Sequence, residues 1–310
     1  MHPSYLKLHR EGTLQRKVDQ ARAMLQSCRI CPRECLVDRT DGETGYCRTG
    51  RKARVASYNA HFGEEAPLVG KHGSGTIFMS SCNLLCSFCQ NYDISQMNEG
   101  VEVDSEDIAA MMIQLAERGC HNINFVTPTH VVPQILEALV PAVEAGLNIP
   151  LVYNSGGYER VETLELLEDI FDIYMPDFKF WDDKWADRYC EAPDYRQKAA
   201  GALKEMHRQV GDLVLDGQGV AISGLLIRHL VMPQNIAGTE KIMAFIAGEI
   251  SPLTYVNVMD QYRPCGAGSS DEFINRRLTS DEYREAMEAA RKAGLERLDK
   301  RDRMRLIFTR

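Results

Sequence analysis

Three cysteines lie close together in the segment SSCNLLCSFCQNYD, residues 80–93: Cys82, Cys86 and Cys89. Thiolates are soft ligands, and iron–sulfur sites that are closed by protein alone use four of them. Spacings of three and two residues let one loop wrap around a cluster. Three thiolates can then hold three irons of a [4Fe–4S] cube, and the open fourth iron implies a second ligand, as in catalytic zinc sites. The alternative interpretation is a zinc knuckle that lacks one ligand.

Four further cysteines, Cys28, Cys31, Cys35 and Cys47, lie in CRICPRECLVDRTDGETGYC. This region lacks the periodicity of core-forming elements, so the four thiols predict a small lobe held together by a metal. The glycine-rich DGETGYC lets the chain turn back and deliver the last ligand. Both zinc and an auxiliary [4Fe–4S] cluster suit four thiolates, and the spacing does not choose between them.

The remaining cysteines, Cys120, Cys190 and Cys265, are scattered, and a lone cysteine is usually a small buried hydrophobic residue. A disulfide framework suits short secreted proteins, whereas this chain has 310 residues and an N-terminus without the apolar segment of an export signal. We therefore expect a cytoplasmic protein that does not enter the membrane. The net charge of −8 argues against a broad nucleic-acid surface.

Six apolar segments of strand length alternate with amphipathic helical segments from residue 76 onward, and this order is typical of parallel strands covered by helices. Six units are too few for an eight-stranded barrel, so the sequence predicts an α/β fold, a partial (β/α)6 TIM-type barrel. We expect an N-terminal helix and metal-binding lobe in residues 1–74, and the barrel with a C-terminal helix and tail in residues 75–310. The strands are predicted at residues 76–81, 123–127, 150–155, 172–180, 221–231 and 254–262. The helices are predicted at residues 13–27, 104–118, 131–146, 161–169, 194–211, 238–250 and 280–293.

Parallel α/β sheets carry their chemistry at the carboxyl ends of the strands, and the three-cysteine segment follows the first predicted strand. There, the pattern Cys-x3-Cys-x-aromatic-Cys, with Phe88 as the aromatic residue, resembles the signature of radical S-adenosylmethionine (SAM) enzymes. The resemblance covers roughly residues 76–265. It implies an oxygen-sensitive [4Fe–4S] cluster on the three cysteines and SAM on the open iron. It also implies reductive cleavage of SAM to a 5′-deoxyadenosyl radical, with Phe88 near the adenine.

Within that superfamily the chain is most similar to the activating enzymes of pyruvate formate-lyase and related glycyl-radical enzymes. Asp177 and Lys179 in DFK resemble an Asp-x-Lys pair whose lysine approaches the SAM carboxylate. Asn154 in NSGG takes the place of an aspartate that meets the ribose. Arg228 in RHLVMP resembles an arginine that positions SAM. These roles are chemically reasonable, because cations pair with carboxylates and amides bond to hydroxyls.

Two segments depart from the activase pattern. FVTPTH replaces Gly-Gly-Glu after the second strand, and the hydroxyls or carbonyls of Thr127 and Thr129 could accept hydrogen bonds from the SAM ammonium. Tyr262 stands near the position of an activase histidine. His130 and His229 are expected to be structural histidines with satisfied hydrogen bonds.

The resemblance favours a radical SAM oxidoreductase that abstracts hydrogen from a partner protein, with a flavodoxin- or ferredoxin-type electron donor. A radical SAM enzyme for a small molecule or a nucleic acid is the first alternative, although phosphate binding needs clustered cations that this acidic chain does not suggest. The second alternative is a non-catalytic iron–sulfur or zinc protein. The C-terminal segment ERLDKRDRMRLIFTR either closes one end of the barrel or contacts a partner.

Overall fold

The computed structural model describes residues 3–299, and both roles considered for the C-terminal tail fall largely on residues outside that range. A single mixed sheet with helices packed on it forms the body of the protein, and the sheet is not closed into a full barrel. The order of its strands is β3-β1-β2-β4-β5-β6-β8-β7, with β9 beside β8. These strands are β1 Ala53–His61, β2 Ser74–Met79, β3 Val101–Val103, β4 Ile123–Val126, β5 Leu151–Ser155, β6 Ile173–Pro176, β7 Val214–Leu215, β8 Ala221–Leu230 and β9 Tyr255–Met259.

The six predicted strands are confirmed as the parallel part of the sheet, in the order β2, β4, β5, β6, β8 and β9. Most residues of each strand are buried whichever face they occupy, as expected for strands that are covered on one side and enclosed on the other. Because all six run in the same direction, their carboxyl ends meet at one edge of the sheet. The predicted α/β partial barrel is therefore correct.

The antiparallel strands β1, β3 and β7 were not predicted. β1 pairs with β2 along six positions, from Val55 opposite Met79 to His61 opposite Ser74. In its sequence, ARVASYNAH, only Ala53 and Val55 near the start are buried, and the other residues are partly or fully exposed, so no strong apolar alternation marks it. β1 lies within residues 1–74, which were predicted to form the N-terminal lobe, and yet it extends the barrel sheet. The domain boundary at residue 74 stays a prediction.

The predicted helices are confirmed within a few residues, and α1, α3, α4 and α8 are additional. Two of the predicted helices begin with a reciprocal capping box, at Asp104 with Asp107 and at Thr279 with Glu282. The helices are α1 Tyr5–Arg10, α2 Thr13–Ala23, α3 Ala66–Val69, α4 Tyr92–Ser95, α5 Ser105–Glu117, α6 Val132–Glu144, α7 Val161–Leu166, α8 Asp183–Cys190, α9 Tyr195–Val210, α10 Thr239–Phe245 and α11 Ser280–Lys292.

Side chains alternate between two apolar clusters along the strands. On β5, Tyr153 belongs to the large cluster beneath the helices, whereas Val152 faces a smaller cluster inside the curved sheet. Leu68 of α3 joins that inner cluster, so α3 and the turn before it fill the lower part of the barrel. The inner cluster comprises Leu68, Val152, Ile173, Met175, Leu213, Ala221 and Leu226. Within residues 3–299 no helix has the length and apolar character needed to cross a bilayer.

Candidate functional site

The three-cysteine loop begins where β2 ends, at the carboxyl edge of the parallel strands. Ser81 and Leu85 adopt positive φ angles of 73° and 50°, which tighten the loop around its cysteines. The backbone N–H of Leu84 lies 3.3 Å from the Cys82 sulfur, and the Ser95 hydroxyl lies 3.3 Å from the Cys89 sulfur. Donors directed at sulfur stabilise thiolates, so the loop is preorganised for anionic sulfur ligands.

Cys190 at the end of α8 approaches this loop from the other side. Its sulfur lies 3.2 Å from the Cys86 sulfur, and both residues are buried. This contact, followed by burial, raises the pKa of Cys86. No sequence spacing relates the two residues, which are 104 positions apart, so only the fold reveals the pair.

Four of the predicted SAM contacts converge in one network at the ends of β5, β6 and β8. Asp177 joins Lys179 through its Oδ2 atom and Arg228 through its Oδ1 atom, the latter at 2.8 Å from Nε. A second guanidinium nitrogen of Arg228 donates to the Asn154 side-chain oxygen at 2.7 Å. The network follows from strand register, because Asp177 and Arg228 bridge adjacent strands.

The network places positive charge beside the cysteine loop. Burial lowers the pKa of Lys179, but the carboxylate of Asp177 and the Cys86 thiolate together raise it above its usual value. Burial opposes ionisation of Asp177, and the two cations outweigh that effect and lower its pKa. The three side chains are only 12–18% exposed, so they stay charged in a poorly solvated setting.

Thr127 and Thr129 follow β4, and they differ in their hydrogen-bond partners. Thr127 has a φ of 60°, and its N–H donates to the backbone oxygen of Asn154 at 2.8 Å. Thr129 is fully buried, and its hydroxyl donates to Glu159 at 2.7 Å. Glu159 also accepts from the Tyr153 hydroxyl at 3.0 Å, and burial raises its pKa to about 7. Sequence reasoning missed this buried acid, although it lies just after the strand-end NSGG.

Phe88 and Tyr262 belong to one buried aromatic cluster. The Phe88 ring centroid lies 5.9–6.2 Å from those of Phe180, Tyr189 and Tyr262. The Tyr262 hydroxyl donates to the backbone oxygen of Ile274 at 2.8 Å. The structure thus brings Tyr262 to the cysteine loop through packing, and the contacts of both residues with SAM remain predictions.

The four N-terminal cysteines line one small cavity, together with Arg39 and His130. Cys28, Cys31 and Cys47 are buried, whereas Cys35 is partly exposed and its sulfur accepts the Tyr46 N–H at 3.3 Å. In residues 3–299 no three side chains of His, Cys, Asp or Glu have the arrangement of a finished metal site. Coordination at either cysteine group therefore requires side-chain rotation toward the metal.

Two arginines, neither of them predicted as functional, hold the lobe in place. Arg33, inside CPREC, donates to the backbone oxygens of Asn83 at 2.9 Å and Cys190 at 2.7 Å. Its guanidinium also lies 3.8 Å from the Tyr46 ring centroid. Asn83 belongs to the three-cysteine loop and Cys190 contacts that loop. One side chain from the lobe therefore fixes the surroundings of the other cysteine group.

Arg39 is 1% exposed and lies between the lobe and the barrel. It donates to the carbonyl oxygens of Gly50 and His130 at 2.9–3.0 Å, and it lies 3.9 Å from the Cys28 sulfur. Its charge also lowers the pKa of Cys47 against the larger opposing effect of burial. Buried charges are normally compensated, so this guanidinium favours anionic sulfur nearby.

The two buried histidines differ in their hydrogen bonds. Both ring nitrogens of His229 are paired, with the Phe178 carbonyl at 2.8 Å and the Thr239 hydroxyl at 2.9 Å. The expectation of a satisfied structural histidine is correct for His229. Among residues 3–299, only one nitrogen of His130 has a hydrogen-bond partner, Nε2 with the Ser80 carbonyl at 2.8 Å. Burial lowers the pKa of both imidazoles to about 4, so both are neutral near pH 7.

The donors at the carboxyl edge suit a [4Fe–4S] cluster with SAM. Three thiols share one loop with N–H and O–H donors aimed at sulfur, which matches a cluster with three protein ligands. Lys179 and Arg228 lie at the adjacent strand ends, where a carboxylate ligand could pair with them.

Comparisons of the sequence agree with this assignment. A family profile described as the Radical SAM superfamily matches residues 76–243, more than half of the chain. The chain is 34% identical over 301 residues to the uncharacterized protein MJ0674 of Methanocaldococcus jannaschii, covering 94% of this chain and 82% of that protein. It is 26% identical over 177 residues to the uncharacterized protein MJ0808 of the same organism, covering 51% of this chain and 50% of that protein.

Solved structures show a partial likeness. Streptococcus suis SuiB bound to S-adenosylmethionine aligns with a TM-score of 0.47 at 15% identity, over 68% of this chain and 45% of SuiB. Native anSMEcpe with bound AdoMet aligns with a TM-score of 0.47 at 10% identity, over 69% of this chain and 57% of anSMEcpe. The chain thus spans less than two thirds of either structure.

Proposed function

Because this chain belongs to the radical SAM superfamily, we propose that it cleaves SAM reductively and uses the resulting radical to take a hydrogen atom from a partner protein. One observation carries the proposal: Lys179, Asp177, Arg228 and Asn154 form a single, largely buried network beside the three-cysteine loop. A closed structural metal site has no need of such a network. Family membership brings a [4Fe–4S] cluster and SAM as cofactors.

The residues of this chain take distinct roles in that proposal. Cys82, Cys86 and Cys89 hold three irons, and Lys179 binds the SAM carboxylate, while Asp177 keeps the lysine charged and aligned. When bound, the cluster and SAM supply one-electron cleavage of a carbon–sulfur bond to give a 5′-deoxyadenosyl radical. Arg228 anchors the network from β8 and lies 3.8 Å from Glu64. The electron comes from outside the chain, and we propose a flavodoxin- or ferredoxin-type donor.

A protein substrate is supported by how the barrel interior is filled. Below the network, Leu68 and its neighbours of the inner cluster occupy the lumen with apolar side chains. The turn before α3 contributes Glu65, whose Oε1 accepts from the Asn257 amide at 2.7 Å. With its lower part filled, the barrel favours a hydrogen donor presented at the carboxyl edge, as a segment of a folded partner would be.

The experiment identifies which class of molecule donates the hydrogen atom to the 5′-deoxyadenosyl radical. Cells that encode the chain are grown in D2O, and their lysate is separated into macromolecules and small molecules. The reduced enzyme and SAM are then incubated with each fraction, and deuterium in 5′-deoxyadenosine is measured by mass spectrometry. We expect deuterium from the macromolecular fraction, removed by protease treatment and unaffected by nuclease. Deuterium only from the small-molecule fraction, or from a nuclease-sensitive donor, would contradict a protein substrate.

A small-molecule substrate is the second candidate, and one observation favours it. Both amide atoms of Asn124 and the Oε2 atom of Glu65 are buried without a hydrogen-bond partner among the described residues. Such atoms could meet the amide or ammonium group of a small ligand inside the sheet. If deuterium comes from the small-molecule fraction and Asn124→Leu abolishes the transfer, this second candidate replaces the first.

A further inference from the structure

His130 lies between the two cysteine groups. It lies in the short helical turn Thr129–Val131 that follows β4, and the residue is 1% exposed. Nε2 lies 2.8 Å from the Ser80 carbonyl oxygen, which can only accept a hydrogen bond. Nε2 must therefore carry the proton, and in the neutral ring Nδ1 then carries a lone pair. Nδ1 has no hydrogen-bond partner among residues 3–299.

The unpaired nitrogen belongs to a residue that lines the four-cysteine cavity. His130, Cys28, Cys31 and Cys47 border the same small space and are each at most 8% exposed. A buried acceptor without a donor costs free energy, so such an atom calls for an explanation. Histidines that bind metals through one nitrogen almost always donate the other ring N–H to a carbonyl, a carboxylate or water. The Ser80 contact is an arrangement of this kind.

The charge of Arg39 supports the same interpretation independently. Its guanidinium donates to the His130 carbonyl at 2.9 Å and lies 3.9 Å from the Cys28 sulfur. A buried guanidinium beside three neutral thiols would be poorly compensated, whereas thiolates bound to a metal carry the opposite charge. The cavity therefore combines three thiols that can ionise when a metal binds, an imidazole acceptor and one fixed cation.

We propose that His130 is a nitrogen ligand of a metal site in the N-terminal lobe, together with Cys28, Cys31 and Cys47. Cys35 lies at the rim, because it is the most exposed of the four thiols. Zinc and iron–sulfur centres both accept mixed thiolate and imidazole ligands. Ser80, which orients the ligand, lies two residues before Cys82, so this site is joined to the start of the other cysteine loop.

The test isolates the lobe in the full-length chain. Cys82, Cys86 and Cys89 are replaced by alanine, so metal retained after purification under anaerobic conditions reports the lobe alone. X-ray absorption at the edge of the retained metal counts its sulfur and nitrogen neighbours. We expect a sulfur shell with one imidazole nitrogen in this parent chain. A parent that retains no metal, or shows sulfur alone, would overturn the proposal whether or not any further variant folds.

Two matched substitutions sharpen the assignment. In the parent background, His130→Ala should remove the nitrogen neighbour and weaken metal affinity by at least about 10-fold, since even outer-shell changes cost 10–100-fold. His229→Ala removes an equally buried histidine whose nitrogens are both paired, and should leave the metal spectrum unchanged. Circular dichroism verifies that both variants fold. A nitrogen neighbour that persists in His130→Ala would overturn the proposal.

The cysteines separate the mixed ligand set from a four-thiolate set. Cys31→Ala should lose the metal, while Cys35→Ala should retain it with an unchanged number of nearest neighbours. Equal loss in both variants would show that all four thiolates bind, and the mixed set would be wrong. The inference goes beyond the proposed function and does not rest on it, because every chain tested lacks the cysteines that SAM cleavage requires.

Discussion

The two cysteine groups are positioned in different ways. The loop that carries Cys82, Cys86 and Cys89 follows a buried strand, and its partners Asp177 and Arg228 come from neighbouring strands in fixed register. Residues 28–47, which carry the other four cysteines, contain no strand, and their backbone takes positive φ angles at Glu34 and Leu36. Its place is set by Arg33 and Arg39, which donate to carbonyl oxygens of the barrel.

The contrast shows what each region needs in order to act. A site at the edge of a parallel sheet inherits its geometry from the strands, so a short motif is enough to build it. An irregular lobe must obtain its geometry from ligands and long-range hydrogen bonds. The lobe also contacts the three-cysteine loop through Arg33. The two regions therefore obtain their geometry in different ways but lie in direct contact.

The largest expected effect separates the two centres by their metals. Cys86→Ala should remove the cluster of the barrel and leave the lobe metal in place, whereas Cys31→Ala should do the reverse. Iron and zinc analysis with electron paramagnetic resonance of the reduced proteins measures both. Cys120→Ala is the control, because this buried thiol precedes β4 at the opposite edge of the sheet. Loss of both centres in either variant would mean that the regions do not assemble independently.

A smaller effect is expected at the SAM network. Lys179→Met removes the cation paired with Asp177 and should raise the Kd for SAM by about 10–100-fold, since a charged hydrogen bond contributes about 1.5–3 kcal/mol. Equilibrium dialysis with the reconstituted protein measures the affinity. Lys184→Met changes an exposed lysine and should leave the Kd unchanged. An unaltered Kd in Lys179→Met would exclude this residue from SAM binding.

The contact between the two regions should matter for stability. Arg33→Ala loses hydrogen bonds to backbone oxygens and the stacking on Tyr46, which together suggest about 2–3 kcal/mol of unfolding free energy. The Tm should fall by about 3–5 °C in thermal denaturation. Arg16→Ala, on the exposed side of α2, should change stability by less than about 0.5 kcal/mol. Equal Tm values for the Arg33 variant and the wild type would contradict a docked lobe.

The smallest expected effect is a pH dependence at Glu159. Burial raises its pKa from 4.5 to about 7, so the folded state holds this proton longer than the unfolded state. Its favourable contribution is complete below pH 4.5 and is lost as the pH rises through 7. Glu159→Gln keeps a neutral side chain, so its stability relative to wild type should rise by about 2–2.5 kcal/mol between pH 5 and pH 8.

Thermal denaturation from pH 5 to pH 8 measures how the stability difference between Glu159→Gln and the wild type changes with pH, rather than the absolute stability of either protein. Amide substitution also changes the hydrogen bonds with Thr129 and Tyr153, but that offset does not vary with pH. A stability difference that is constant from pH 5 to pH 8 would show that Glu159 titrates normally in the folded protein.

The features that could be predicted from the sequence are those that depend on a local residue pattern. Six strands, the helices between them and the cysteine loop after β2 follow from short periodic segments, and strand ends then bring Asn154, Asp177 and Arg228 together. What it missed depends on contacts between distant residues. β1 buries only Ala53 and Val55, so its apolar pattern is weak, and the approach of Cys190 to Cys86 exists only in the folded chain.

Residues of the lobe were the hardest to interpret. Arg33 lies between two cysteines and could be taken for a solvent-exposed charge, because its acceptors are backbone oxygens with no sequence signal. His130 was expected to be structural, and only the unequal pairing of its two nitrogens distinguishes it from His229.

Reductive cleavage of SAM tests the central claim most directly. The full-length protein is reconstituted with iron and sulfide under anaerobic conditions, reduced with dithionite and incubated with SAM, and 5′-deoxyadenosine is quantified by chromatography. We predict at least one equivalent of 5′-deoxyadenosine per cluster in the wild type and none above background in Cys86→Ala. A reconstituted wild-type protein that holds its cluster, binds SAM and yields no 5′-deoxyadenosine would contradict the account.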